Sequence, residues 1–166
     1  MLIVLSGLPG AGKSTIARAF LAHTRAAYLR IDVIEQSLLS SGILTRPVGP
    51  AGYVIANELA RSNLELGMTV LIDCVNPVGV CRAEWRAVAE AASSSILEVE
   101  VICSNPAEHR RRVEARTADI AGHVVPTWDE VCRRDYEPWT TPRLVIDTAF
   151  VSAAEAAAQI AGKATA

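Results

Sequence analysis

The sequence predicts an α/β fold, a three-layer sandwich in which one parallel sheet is covered by helices on both faces, built as a single domain over residues 1–166. Two observations carry this. Short runs that are apolar on both faces alternate with amphipathic helical stretches, the pattern of strands buried on both sides. The 166 residues, 51% hydrophobic and 20% charged, suffice for one sizeable core and leave little for a second. Sixteen basic against eighteen acidic residues give a formal charge of -2. That balance argues against a broad cationic surface for duplex nucleic acid or an anionic membrane, although a local basic patch leaves nucleic acid open as a partner. The longest apolar runs fall far short of the ~20 residues of a membrane helix, and no secretory leader pattern is present, so the reading is a cytoplasmic protein with no membrane partner. Composition says nothing about oligomeric state.

The elements follow in order. Leu2 to Leu5 is a strand, followed by a glycine-rich turn and an amphipathic helix over Thr15–His23. AAYLRI at 26–31 reads as a second strand and Val33–Leu39 as a short helix. The stretch 40–52, with prolines at 47 and 50 and glycines at 42, 49 and 52, reads as a mobile loop. Ala51–Leu66 has helical periodicity through Tyr53, Ile55, Ala56, Leu59 and Leu66, with Gly67 as its stop. MTVLIDC at 68–74 is a third strand, Ala83–Ala92 a helix, ILEVEVIC at 96–103 a fourth strand and Ala107–Arg116 an arginine-rich helix. Thr127 opens a further helix, with Asp129 and Glu130 in its first turn and Pro138 ending it. LVID at 144–147 is the fifth strand, and Ser152 caps an alanine-rich last helix. Cys74, Cys81, Cys103 and Cys132 form no C-x-x-C pair and read as buried thiols, neither a disulfide framework nor a zinc site. His109 and His123 lack metal-ligand spacing and read as surface histidines.

Between the first strand and first helix stands Gly7-Leu8-Pro9-Gly10-Ala11-Gly12-Lys13-Ser14-Thr15, which satisfies G-x-x-x-x-G-K-[ST]. Phosphate oxygens must be approached by several backbone N–H groups at once, and glycine at 7, 10 and 12 permits the dihedrals of such a nest. Residues 7 and 10 to 15 are therefore the candidate nucleotide cradle. Lys13 would reach the β- and γ-phosphates of ATP, and the Ser14 hydroxyl would ligate Mg²⁺. The chain holds two lysines against fourteen arginines. A lysine in this one slot is thus the less accidental. A guanine switch would need N-K-x-D and D-x-x-G segments, and neither occurs. Asp32, Asp73 and Asp147 close three strands at the sheet edge where open parallel sheets bind ligands.

With GLPGAGKST at 7–15, RIDVIE at 30–35, VLIDCVNP at 70–77 followed by Arg82, RRRVEAR at 110–116 and VIDTA at 145–149, the whole chain resembles the small P-loop kinases. That group includes chloramphenicol phosphotransferase, gluconokinase, adenylylsulfate kinase and the AAA-type kinase domain of bacterial polynucleotide kinases. The resemblance implies a P-loop NTPase sandwich with strand order 2-3-1-4-5 and a small lid at about 110–126. It implies Asp32 as the group that takes the proton of, or orients, an acceptor hydroxyl, with helix capping as the rival role. Asp73 would hold Mg²⁺ with Ser14, Asp147 would support the loop beside the adenine, and Arg112 and Arg116 would be the lid arginines that neutralise the transferred phosphoryl group. Trp128, Tyr136 and Trp139 would cover a substrate or simply pack.

The implied activity is transfer of the γ-phosphate of Mg-ATP to a hydroxyl of a small molecule. Relatives with anionic acceptors typically carry D-x-x-R where this chain has Asp32 to Glu35, which leans the acceptor toward a neutral or cationic compound. Asp73-to-Asn76 followed by Arg82 resembles the D-x-x-N segment of polynucleotide kinases and points the other way, toward a 5′-hydroxyl polynucleotide kinase; an adenylylsulfate-type kinase is the further alternative. An ATP-binding regulator with slow hydrolysis is the reading from another class.

Overall fold

A computed structural model describes residues 1–42 and 48–164. In chain order the elements are β1 (Leu2–Ser6), α1 (Lys13–Leu21), β2 (Ala27–Arg30), α2 (Ile31–Ser40), α3 (Ala51–Glu65), β3 (Val70–Asp73), α4 (Gly79–Ala91), β4 (Ile96–Ile102), α5 (Pro106–Glu114), α6 (Trp128–Cys132), β5 (Leu144–Asp147) and α7 (Ala153–Ala164). The strands form one sheet in the order β2-β3-β1-β4-β5. Every pairing is parallel, with Leu5 opposite Asp73 and Arg30 opposite that same Asp73. The expected strand order is the one found.

Strand alternation divides the core into two layers. Ile3, Leu5, Leu71, Val99 and Val101 point to one face, where Ile16, Ala17 and Phe20 of α1 and Ala156 and Ile160 of α7 cover them. Leu2, Val4, Val70 and Ile72 point to the other, against Ala56, Ala60 and Leu64 of α3 and Trp85 and Ala89 of α4. Central β1 is buried along its whole length, which is why it reads as a continuous apolar run. Truncating one of its leucines to alanine would cost about 2–5 kcal/mol by lost transfer energy and cavity formation. Glu98 and Glu100 alternate with Val99 and Val101 and are buried too. They are tolerated because Arg86 and Arg143 donate to them at 2.9 and 2.8 Å.

Several expectations are corrected. The second strand stops at Arg30, so Asp32 is the second residue of α2 and lies in its first turn. Arg30 occupies the N-cap position with no side-chain cap, so Asp32 is not a capping residue either. The helix opened by Thr127 ends at Cys132, well before Pro138. Its start is held by a capping box, in which Thr127 accepts from the Glu130 backbone N–H while Glu130 accepts in return. Ser152 caps α7 as expected, accepting from the Glu155 N–H at 3.3 Å. Of the thiols only Cys74 is buried; Cys81 and Cys103 are half-buried, and Cys132, the last residue of α6, is exposed while its neighbour Val131 is the one that faces inward. His109 is buried, not on the surface. In the stretch expected to be a mobile loop, residues 43–47 lie outside the described residues, while Ser40 ends α2 and Ala51 opens α3. No helix among the described residues is long and apolar enough to cross a membrane.

Candidate active site

The loop after β1 must turn back across the sheet edge and start α1 within six residues. Gly7 and Gly10 adopt φ of 146° and 81°. A Cβ at Gly7 would sit 2.2 Å from the Val101 carbonyl oxygen, and one at Gly10 2.5 Å from the Val113 Cγ2. No other residue fits either place without moving backbone or core. Lys13 is buried and donates from Nζ to the carbonyls of Gly7 and Leu8 at 2.6 and 3.1 Å. Burial pushes its ammonium below the ordinary lysine range, while the Asp73 and Asp32 carboxylates pull it back up.

The loop is braced from outside. His109 of α5 donates from Nε2 to the Pro9 carbonyl at 2.8 Å, since a carbonyl can only accept. Its ring stands edge-on to Trp128, with centroids 5.2 Å apart. The Thr148 hydroxyl sits 2.8 Å from the Ala11 carbonyl and receives Arg112 Nη1 at 2.7 Å. Arg112 Nη2 reaches the Thr148 carbonyl at 3.0 Å, and its Nε donates to Glu108 at 2.7 Å. Arg112 thus anchors the loop after β5 to the phosphate loop. The three hydrogen bonds from Arg111 and Arg112 hold Glu108 down at a pKa of about 2.

Asp73 closes β3 beside Ser14. The Ser14 hydroxyl donates to Asp73 Oδ2 at 2.6 Å, and the Tyr28 hydroxyl donates to the same oxygen at 2.9 Å. Burial and the neighbouring Asp73 charge push the Tyr28 phenol well up, so it remains a donor. Asp147 instead accepts from the backbone N–H groups of Ser104 and Ala149, both at 3.0 Å, and stabilises the turn after β5.

Arg30 lies at the centre of the acidic side, nearly sealed at 7% side-chain exposure. It donates from Nη1 and Nη2 to the two oxygens of Asp119 at 2.7 and 3.0 Å. Asp32 is 3.7 Å from its Nη2, and Asp73 is 4.0 Å from its Nε. Burial works against the Arg30 charge, but the Asp119 hydrogen bonds and the Asp73 charge carry its pKa upward. Asp119 belongs to the irregular segment between α5 and α6, so that segment is tied to the end of β2 at the cleft. Lys13, Ser14, Asp32, Asp73, Arg112, Arg116 and Asp119 all line that one cleft.

The structure places the expected Gly10, Gly12, Lys13, Ser14, Thr15, Asp32, Asp73, Arg112 and Arg116 along one cleft, together with Arg30 and Asp119, and sets Tyr28 and His109 against Asp73 and the phosphate loop. Strand periodicity pointed at Tyr28 and Arg30, since they share a face of β2 with Asp73 opposite Arg30. Nothing local pointed at Asp119, which meets Arg30 across 89 residues. The aromatics do not cover the cleft. Trp139 and Tyr136 pack on the Arg82 guanidinium, 4.2 and 5.2 Å from it. Arg82 is buried and donates to the carbonyls of Asn76, Pro77, Glu137 and Pro138. That arginine welds the segment 136–139 to the start of α4, and its donors are spent on backbone.

Sheet order, phosphate loop and the carboxylate-ended third strand define a P-loop protein of kinase fold. The chain belongs to the AAA domain family, whose profile matches residues 2–133. It is 33% identical over 102 residues, 58% of this chain, to an adenylyl-sulfate kinase of Myxococcus xanthus. It spans 55% of that protein's length. Among solved structures it is similar in fold to a kinase candidate from Chloroflexus aurantiacus, with a TM-score of 0.76 at 17% identity over 99% of this chain and 95% of the other. It is also similar to the APS kinase of Mycobacterium tuberculosis in complex with AMPPNP and APS, with a TM-score of 0.63, 19% identity and coverage of 99% and 97%. A gluconokinase from Sinorhizobium meliloti matches with a TM-score of 0.64, 18% identity and coverage of 98% and 94%.

Proposed function

We propose that the chain transfers the γ-phosphoryl group of ATP, with Mg²⁺, to a hydroxyl of a small molecule. One observation carries the reading: Asp32 opens α2 into the same cleft as Lys13, Ser14 and Asp73, so a carboxylate stands free of the nucleotide cradle and available to an acceptor. Ser14 and Asp73 offer two hard oxygens 2.6 Å apart, which fits Mg²⁺, an ion held by one or two protein oxygens plus phosphates. When bound there, Mg²⁺ would neutralise charge on the β- and γ-phosphates.

The protein's own part is positioning. Lys13 exchanges the Gly7 and Leu8 carbonyls for phosphate oxygens, and the backbone nest with the start of α1 receives the rest of the charge. Asp32 accepts the acceptor's hydroxyl proton as the new O–P bond forms and the bond to the β-phosphate oxygen breaks, releasing ADP. Arg116, at 4.0 Å from Asp119, is the lid arginine with donors to spare for the transferred group. Arg112 acts beside it through Thr148. The cleft closes under the lid, which keeps water from competing as acceptor.

The adenylyl-sulfate kinase relative favours a nucleotide acceptor as the second reading. The polynucleotide reading loses the support it drew from Arg82, which is buried and donates to four backbone carbonyls inside the fold. An ATP-consumption screen across amino alcohols, sugars, sugar acids, antibiotics, nucleosides, adenylyl sulfate and 5′-hydroxyl oligonucleotides tests the proposal. Acceptor-dependent ADP release is the expected result. Slow hydrolysis that no hydroxyl compound accelerates would identify a regulator instead.

A further inference from the structure

Three guanidinium groups from separate parts of the chain turn toward one lid carboxylate. Arg30 grips both oxygens of Asp119 in a fork, Arg18 of α1 adds Nη2 at 2.8 Å, and Arg116 approaches to 4.0 Å. Ion pairs to half-exposed partners contribute little stability, so holding down a lid does not by itself account for three arginines on one carboxylate. Burying Arg30 is costly as well. Its Nε is buried and lacks a hydrogen-bond partner among the described residues, and its other edge faces Asp32, the group assigned to the acceptor hydroxyl.

We propose that Arg18 and Arg30 form the seat for an anionic group on the acceptor, a carboxylate, phosphate or sulfate, and that Asp119 is a tethered carboxylate holding this seat until the acceptor displaces it. Naming the ligand as the acceptor rests on the phosphotransferase reading; the anion seat itself does not. The charge balance supports the assignment. Without Asp119, Arg30 keeps only Asp32 at 3.7 Å and Asp73 at 4.0 Å, and Asp73 already receives Ser14 and Tyr28. A neutral acceptor that moved Asp119 would leave Arg18 and Arg30 underpaired. An incoming anion restores the pairing, and a guanidinium fork suits planar carboxylates and phosphates alike. The cation absent at position 35, where Glu35 stands, is thus supplied from position 30.

The test is a titration of inorganic sulfate into protein saturated with Mg-AMPPNP, so that the phosphate loop is filled. A tethered competitor works at an effective concentration in the millimolar range. D119N should therefore bind sulfate about tenfold or more tightly than wild type, and D119N/R30Q should lose the gain. Arg18 is exposed, so D119N/R18Q keeps the test alive if the Arg30 variant does not fold; it too should weaken sulfate. Equal affinity in wild type and D119N, or a gain that survives loss of both arginines, would overturn the seat. Matched acceptors then separate its sources. Gluconate against glucose reads a carboxylate, and a nucleoside monophosphate against its nucleoside reads a phosphate. Preference for the neutral member of both pairs would overturn the acceptor assignment. If Mg-AMPPNP does not bind, or no acceptor accelerates ATP consumption, the phosphotransferase reading falls, while the sulfate difference between wild type and D119N still decides the seat.

Discussion

The two halves of the cleft are built by different means. The nucleotide half comes from one contiguous run, residues 7–15, whose backbone makes the cradle and whose glycines are forced by contacts such as Val101 O at 2.2 Å from a Gly7 Cβ. The half proposed for the acceptor is made of side chains brought from far apart: Arg18 and Arg30 reach Asp119 across 101 and 89 residues. A site made of backbone needs a particular local sequence, whereas a site made of side chains needs only that the fold deliver the right groups. The first tolerates little change and the second can be retuned one residue at a time, which is how related folds serve different acceptors.

Breaking the nucleotide half should cost most. Lys13→Ala removes the one charged side chain of residues 7–15, and turnover should fall by about 10³-fold or more, while circular dichroism and melting stay near wild type. Wild-type affinity and turnover in that variant would undo the nucleotide assignment. Asp32→Asn probes the other half. It should cut phosphoryl transfer by about 10²–10⁴-fold with ATP affinity nearly unchanged, the scale for losing a general base. Since Arg30 holds the N-cap position, stability should shift by no more than about 1 kcal/mol from the lost helix-dipole interaction. Unchanged transfer to the identified acceptor would place the base elsewhere.

A smaller effect sharpens the contrast, because His109 shows that even the backbone half leans on tertiary contact. His109→Ala frees the Pro9 carbonyl, and KM for ATP should rise about tenfold with kcat changed less; His109→Gln, which can still donate, should recover part of it. An equal fall in kcat with KM unmoved would refute a positioning role. The smallest effect is the pH response of the lid. Hydrogen bonds from Arg30, opposed by partial burial, hold Asp119 at a pKa of about 2 against an ordinary 3.8. The folded value is the lower one, so the latch is fully present above pH ~4 and is lost as pH falls toward 2. Carboxyl-detected titration of Asp119, or acid-protease cleavage within 115–126, should show release in that window and none between pH 5 and 8.

What could be read before folding was whatever repeats or is contiguous. Alternating apolar strands and helices dictated a doubly covered parallel sheet, because a strand buried on both faces must be apolar on both. The run at 7–15 dictated a phosphate cradle, because its chemistry lies in adjacent backbone groups. Asp73 followed from its place at the end of an apolar strand. Asp32 was assigned to the cleft on a resemblance and to the end of a strand by pattern, and the chain turned helical two residues sooner, with β2 ending at Arg30 and α2 opening at Ile31. Tertiary structure alone decided that Arg82 is a brace and not a ligand, that His109 supports the phosphate loop, and that Asp119 meets Arg30. Each of these depends on which distant carbonyl or carboxylate arrives beside the group. A charged side chain carries no local sign of whether its partner will be backbone, another side chain or a substrate.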